Sequence, residues 1–288
     1  MFCEGAVGII GGSGLYRMAG LDVAEEAAVS TPFGAPSDSY VIGNLAGRRV
    51  VFLARHGRAH EFMPSLVNFR ANIYGFKKLG VERIVAVSAV GSLKEEIHPL
   101  HVVLPDQFID RTRHRADTFF GEGVVAHISF ADPVCPELHA ALKQAAAGCG
   151  ATVWPEGTYL CIEGPAFSTR AESRLYRSWG ASVIGMTNLP EAKLAREAEM
   201  CYATVALVTD FDCWREAEEA VSVQMLLDNL TRNAGTAQSV LKALMGTLPP
   251  ERSCECGHAL EKALLTPRAG IPPAARERLD MIIRKYLQ

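Results

Sequence analysis

Residues 49–60 read RVVFLARHGRAH. The apolar run Val50–Ala54 stops abruptly at Arg55-His56-Gly57-Arg58-Ala59-His60, where four side chains can donate hydrogen bonds or carry positive charge. A strand apolar at every position is covered on both faces of its sheet. Donors gathered at its carboxyl end sit where α/β sheets usually place their ligands. The plain alternative is a solvated basic loop, so the reading depends on whether the pattern recurs.

It does recur. Val7–Ile10, Arg83–Val87, Val102–Leu104, Thr158–Ile162, Ser182–Met186 and Thr204–Thr209 are short, β-branched and mostly apolar, and with Arg49–Ala54 they form the expected strands. Helical periodicity lies between them: Ser65–Leu79, Thr169–Trp179, Pro190–Met200, Ser222–Met245 and a terminal Ala274–Leu287. Thr169-Arg-Ala-Glu172 has the spacing of a capping box, and Pro190 suits a first helical turn. Alternating strands and helices predict an α/β fold. We read residues 1–288 as a single domain, with 246–288 as a C-terminal helical extension. Within that extension, the proline- and cysteine-rich stretch Gly246–Pro273 reads as a surface connection.

Composition excludes several classes. A net charge of −3 and a pI near 6.3 give no basic footprint for nucleic acid or an anionic membrane. No apolar stretch approaches the roughly 20 residues that span a bilayer. The N-terminal MFCEGAVGIIGG carries an acid and no basic region, so a cytoplasmic location without a signal peptide is expected. Eight cysteines are scattered along the chain. In a reducing compartment they read first as buried thiols. Cys254-Glu-Cys256, with His258 close behind, stands out; a disulfide or redox pair comes next in order. A zinc site ranks last, because it usually needs two such pairs at wider spacing. No metal is expected.

The other strand ends carry chemistry of the same kind. Gly11-Gly12-Ser13-Gly14 follows the first strand and suits either an anion or a tight turn. It is neither a dinucleotide fingerprint nor a P-loop, since Arg17 replaces the third glycine and no Gly-Lys-Ser/Thr follows. Ser88-Ala89-Val90-Gly91-Ser92 is a second small, hydroxyl-bearing turn. Glu163-Gly164-Pro165-Ala166-Phe167-Ser168 offers Phe167 for stacking, although an aromatic is more often core. Its Glu163 can grip a sugar hydroxyl or pair with an arginine. Met186-Thr187 leads into a helix, placing Thr187 where an anion is favoured. Asp210-Phe211-Asp212 holds two carboxyls on one side of an extended segment; held close, they resist double ionisation. The plain reading there is a helix-entry turn. Oxyanion donors early and carboxyls late suit a bipartite ligand, an oxyanion joined to a hydrogen-bonding heterocycle.

In this order, GIIGGSGLY, TPFGAPSDSYVIG, LARHGRAHEFMPSLVNFRANI, SAVGSLKEEI, DQFIDRTR, IEGPAFSTRAES, MTNLPEAKLAREA and VTDFDCW resemble the methylthioadenosine phosphorylase branch of the trimeric purine nucleoside phosphorylase family. The resemblance runs from Val7 to about Met245. It implies a central, mixed, largely buried β-sheet flanked by helices, and phosphorolysis of 5'-methylthioadenosine. The family's oxopurine-cleaving members are the alternative, and a non-catalytic nucleoside-binding protein is a more distant one. It implies a phosphate site of Ser13, Arg55, His56, Ser88, the backbone of Ala89, and Thr187. Met186 would lie against the ribose with His60 nearby, and Phe167 and Ser168 would line the base pocket. Asp210 and Asp212 would read the purine, a protonated Asp210 donating to N7 and Asp212 accepting from the 6-amino group. Asn188 is a second candidate reader of the base. His127 and the terminal helix would reach a neighbouring subunit's 5' pocket, with Val223 and Leu227 adding apolar walls. The assembly implied is a homotrimer or two stacked trimers, and inorganic phosphate is a co-substrate, with no cofactor.

Overall fold

The computed structural model describes residues 5–12, 15, 20–215 and 223–287; the side chains of 223–227 fall outside the described residues. Its hub is β5 (Arg83–Ser92), a ten-residue strand that is apolar from Ile84 through Val87. One stretch of β5 pairs in parallel with β1 (Val7–Gly11) and with β11 (Cys201–Asp210), while its last residues pair antiparallel with β10 (Val183–Gly185). β1 is flanked on its other side, again in parallel, by β4 (Arg48–Ala54). The carboxyl ends of β1, β4, β5 and β11 therefore emerge on one side. The sheet continues from β10 to β9 (Thr158–Ile162) and β7 (Gln107–Arg111), and beyond β4 to β3 (Tyr40–Leu45) and β2 (Leu21–Ala27). β6 (Val102–Val103) and β8 (Val153–Trp154) complete an 11-stranded mixed sheet.

Alternation along the strands divides the core between two faces. Ile10, Ile84 and Ala86 pack with Phe69, Ile73 and Phe76 of α1 (Phe69–Lys78) and with α4 (Asn188–Glu197). Val7, Ile9, Val85 and Val205 pack with Leu138 and Leu142 of α2 (Pro136–Ala146) and with Val240, Leu241 and Leu244 of α5 (Val223–Thr247). A sheet covered by helices on both faces explains the continuously apolar strands. α3 (Arg170–Ser178) begins as its sequence predicts: Thr169 and Glu172 form the capping box. α4 has a break at Leu189, so its regular turns start at Pro190.

Two expectations change. The terminal helix is two helices, α6 (Pro273–Arg278) and α7 (Asp280–Leu287), separated by the fully buried Leu279. The stretch Gly246–Pro273 runs largely exposed, as a surface connection would, but is anchored in the core. Leu260 is 0% and Ile271 4% exposed, and both belong to the core on the α1 face. The backbone is pinned as well: Arg83 donates to the Pro250 carbonyl at 3.0 Å, and Arg252 donates from this segment to the Glu199 carbonyl at 2.7 Å. Its apolar residues, too sparse to show a period, join the core cluster that holds α1 and α7. Among the described residues no helix is long and apolar enough to cross a membrane. If the segment is core, Leu260→Ala destabilises the protein by about 2–5 kcal/mol in urea unfolding; a loss below about 0.5 kcal/mol would restore the reading as a surface connector.

Candidate active site

The site begins with a buried charge. Arg55, the residue after β4, is 2% exposed. Its Nε and Nη2 donate to the two carboxylate oxygens of Glu191 at 2.7 and 3.0 Å, and Nη1 and Nη2 donate to the carbonyls of Val87 and Ile10 at 3.0 and 3.2 Å. Burial alone disfavours its charge, but the Glu191 carboxylate outweighs this and raises its pKa. These four bonds occupy all but one N–H of the guanidinium, the remaining one on Nη1. Arg55 is thus first a tie between β1, β4, β5 and α4, and only through that last N–H a free donor. Arg58, grouped with it in sequence, turns away to Glu26 and Asp38.

His56 sits beside it. Its Nδ1 lies 2.8 Å from the Phe62 carbonyl, which can only accept, so Nδ1 carries the proton. Burial and the adjacent Arg55 charge lower its pKa to about 4, which leaves the ring neutral with Nε2 unprotonated. His60 stacks on it at 4.7 Å. Across the β5 end, Ser88 Oγ is 2.9 Å from Thr187 Oγ1 and 3.1 Å from the Tyr159 hydroxyl. Thr187 occupies the N-cap position of α4 without using its side chain to cap. Its hydroxyl is therefore turned toward β5, with the backbone of Ala89 next along that strand. Ser13 is outside the described residues.

The second half of the site is carboxylic. β11 ends at Asp210, and Asp212 has φ 55°, so the two acids do not share an extended face as the sequence pattern suggests. They meet through a turn instead: the Asp212 N–H donates to Asp210 Oδ1 at 2.7 Å, and Thr209 Oγ1 donates to Asp210 Oδ2 at 2.7 Å. Asp212 accepts from Ser173 Oγ, and burial raises its pKa above the ordinary aspartate value. Gly91 makes the approach possible, since a Cβ there would lie 3.0 Å from Asp210 Oδ1 and 3.3 Å from the Asp212 Cβ.

The loop after β9 closes the third side. Phe167 is 80% exposed, so the ordinary reading of an aromatic as core fails here. Ser168 Oγ is buried without a partner among the described residues, while Cys213 donates to its carbonyl at 3.2 Å. Gly164 has φ 68°, and any Cβ there would strike Met186 Sδ at 2.6 Å, so glycine lets Met186 and this loop come together.

Some candidates stand elsewhere. Asn188 is fully buried, and its amide donates to the hydroxyls of Tyr202 and Thr204. Glu163 resolves to the arginine partner: it pairs with Arg115 at 3.2 Å and accepts the Arg113 N–H at 2.5 Å. His127 is exposed on a segment bonded to Ala263, apart from these strand ends. Val223 and Leu227 open α5, but their side chains are outside the described residues. Sequence reasoning missed Arg115, which donates to the carbonyls of Met186, Leu189, Ile162 and Glu163 and thereby joins two strand ends. Within the polar run Arg111–Arg115 nothing distinguishes it from its exposed neighbours.

This geometry agrees with the comparisons. The family profile described as the phosphorylase superfamily matches residues 6–245. The chain is 58% identical over 283 residues to the S-methyl-5'-thioadenosine phosphorylase of Koribacter versatilis, across 98% of this chain and 97% of that one. It is 59% identical to that of Geobacter sulfurreducens, across 99% and 100%. A methylthioadenosine phosphorylase from an antarctic soil metagenomic library superposes with a TM-score of 0.93 at 49% identity, covering 97% of this chain and 99% of that one. The methylthioadenosine phosphorylase of Schistosoma mansoni in complex with adenine gives 0.82 at 37% identity, covering 89% and 96%. Every strand end that carries the site lies inside the matched residues, and the chain belongs to the phosphorylase superfamily.

Proposed function

We propose that this protein cleaves 5'-methylthioadenosine with inorganic phosphate, giving adenine and 5-methylthioribose 1-phosphate, in the cytoplasm and in the service of purine and methionine salvage. The observation that carries the reading is the single strand end of β5, where the Ser88–Thr187 hydroxyl pair and the Asp210–Asp212 carboxyl pair stand together. Ser88 and Gly91 are three residues apart, about 10 Å along a strand. That is comparable to the distance from an anomeric phosphate to the far edge of a purine. The names of the relatives support the same substrate.

Phosphate would be held by Ser13, Ser88, the Ala89 backbone, Thr187, and the remaining N–H of Arg55. Neutral His56 offers Nε2 as an acceptor for a phosphate hydroxyl. A phosphate oxygen forms its bond to C1' as the bond to N9 breaks. The sugar passes through positive charge, which the nearby phosphate offsets, and the purine takes the electron pair. The carboxyl pair, sharing one proton, would serve both edges of the base: Asp210 protonates or hydrogen-bonds the purine at N7 as charge builds, and Asp212 accepts from the 6-amino group. Phe167 and Ser168 would line the base, with Met186 and His60 near the ribose. None of these steps calls for a cofactor.

Base choice follows from the pair's proton count. One proton on two carboxyls gives one donor and one acceptor, which match N7 and the 6-amino group of adenine. A 6-oxopurine presents acceptors at both places, and an opposed buried acceptor costs far more than an apolar mismatch. The expected result is phosphate-dependent release of adenine from methylthioadenosine, with adenosine poorer by roughly 10–200-fold and inosine and methylthioinosine barely cleaved. In the same assay, Asp212→Asn shifts the preference toward methylthioinosine, and Asp210→Asn lowers turnover on every substrate. Equal cleavage of methylthioinosine by the wild type would remove the carboxyl pair as the reader of the base. Binding without turnover would make the protein a nucleoside-binding one.

The proposed assembly is a homotrimer, or two trimers stacked, in which His127 and α7 reach the 5' pocket of a neighbouring subunit. Exposed Phe167 and His127 fit such an arrangement. Light scattering at assay concentration should give a trimer or hexamer, and a fully active monomer would refute the shared pocket.

A further inference from the structure

Cys254 and Cys256 lack a second pair in the sequence, but the fold supplies one. The Sγ atoms of Cys135, Cys201, Cys254 and Cys256 all lie within 4.8 Å of one another. Cys254 Sγ is 3.6 Å from that of Cys135 and 3.3 Å from that of Cys201. These separations are well beyond the ~2.05 Å of a disulfide. They lie just below, and the 4.8 Å limit above, the ~3.8 Å between sulfurs around a tetrahedral zinc with Zn–S bonds of ~2.3 Å. His258, close by in sequence, instead faces Glu261 at 4.0 Å.

Each thiol is placed by a firm element. Cys135 is the N-cap of α2, where its sulfur accepts the Leu138 N–H at 3.4 Å, and its own N–H donates to the Tyr202 carbonyl at 2.9 Å. Cys201 is the first residue of β11, its N–H donating to the Glu82 carbonyl at 2.9 Å. Cys254 and Cys256 stand at and just within the short helical turn Glu255–His258. Arg252, anchored on Glu82 and the Glu199 carbonyl, lies beside the sulfurs of Cys201 and Cys254. With the positive end of α2, it supplies charge that favours thiolates. A cavity of about 560 Å³ lined by Pro136, Cys254, Cys256 and His258 gives access from solvent.

We propose that these four cysteines bind one zinc ion as a closed structural site. Zinc replaces the four thiol protons, which leave to solvent, and forms a tetrathiolate of net charge −2. All coordination positions are filled by protein, so the ion takes no substrate. It also lies away from the chemistry: Cys201 and Asp210 are opposite ends of β11, roughly 30 Å apart at strand rise. Its effect is to clip the segment after α5 to α2 and to the start of β11.

The test is metal analysis of the full-length protein purified under reducing conditions without chelator, by plasma mass spectrometry. The expected result is stoichiometric zinc, released by a thiol-specific mercurial. Replacement by Co(II) should give the intense visible bands of a tetrahedral thiolate site. The double variant Cys254→Ser, Cys256→Ser should lose the metal, while Cys149→Ser keeps it. Reduced wild-type protein that takes up no zinc when the ion is added overturns the proposal. So does an intact mass showing two disulfides among these residues, and iron found in place of zinc overturns the choice of ion.

Discussion

The ion pair between Arg55 and Glu191 is the constraint on which the site depends. Both side chains are essentially withdrawn from water. A lone charge in such a place would cost several kcal/mol, which is why the pair is held bidentate and why all but one of the guanidinium's N–H groups are occupied. The Tyr202 hydroxyl donates to Glu191 at 2.9 Å, and Asn188 in turn donates to that hydroxyl at 2.9 Å. This network spans the ends of β1 and β4, the middle of β5, and the starts of α4 and β11. The hydroxyls of Ser88 and Thr187 can face each other because the elements carrying them are fastened to one guanidinium. A buried ion pair is weak evidence for stability but a good device for fixing relative position. Arg115 repeats the arrangement one step outward, joining the ends of β9 and β10 through four carbonyls.

Much of this was legible in the residues. The buried strands announce themselves because a sheet covered on both faces admits only apolar side chains. Thr158–Ile162 matches its prediction, and α3 begins and ends where its capping box and Gly180 imply. The strands at the edges were missed for the opposite reason: β2 (LDVAEEA) is half exposed and acidic, so it shows neither an apolar run nor clean alternation. α2 was missed although Pro136 suits a first helical turn, because its cap is a cysteine, which sequence reasoning does not take as a helix start. The strand-end motifs were found, yet their roles were not fully readable. Nothing in the order Arg55-His56 says that Arg55 has spent nearly all of its donors on the protein. Nor does the sequence say that the Asn188 amide is bonded to the hydroxyls of Tyr202 and Thr204.

The segment after Met245 shows what spacing cannot convey. The close pair Cys254 and Cys256 meets Cys201 and Cys135, tens to more than a hundred residues earlier, because α2 and β11 begin at the same end of the sheet, and the chain leaving α5 returns there. Gly246–Pro273 has no periodic pattern because it is neither strand nor helix for most of its length. It is nonetheless held by Leu260, Ile271 and a set of arginine–carbonyl bonds. The site and this clip occupy opposite ends of β11, so one long central strand carries the chemistry at its carboxyl end and an anchor at its amino end.

The central claim is that the Arg55–Glu191 pair holds the strand ends in register for phosphate. Glu191→Gln tests it most directly, since the amide keeps the shape and removes the charge that Arg55 needs. Chemical denaturation and the phosphate dependence of turnover would be measured on the same preparation. The account predicts a stability loss of about 3–5 kcal/mol, as expected when one partner of a buried pair is removed, together with a raised KM for phosphate. A variant within about 0.5 kcal/mol of wild type, with unchanged phosphate dependence, would contradict it.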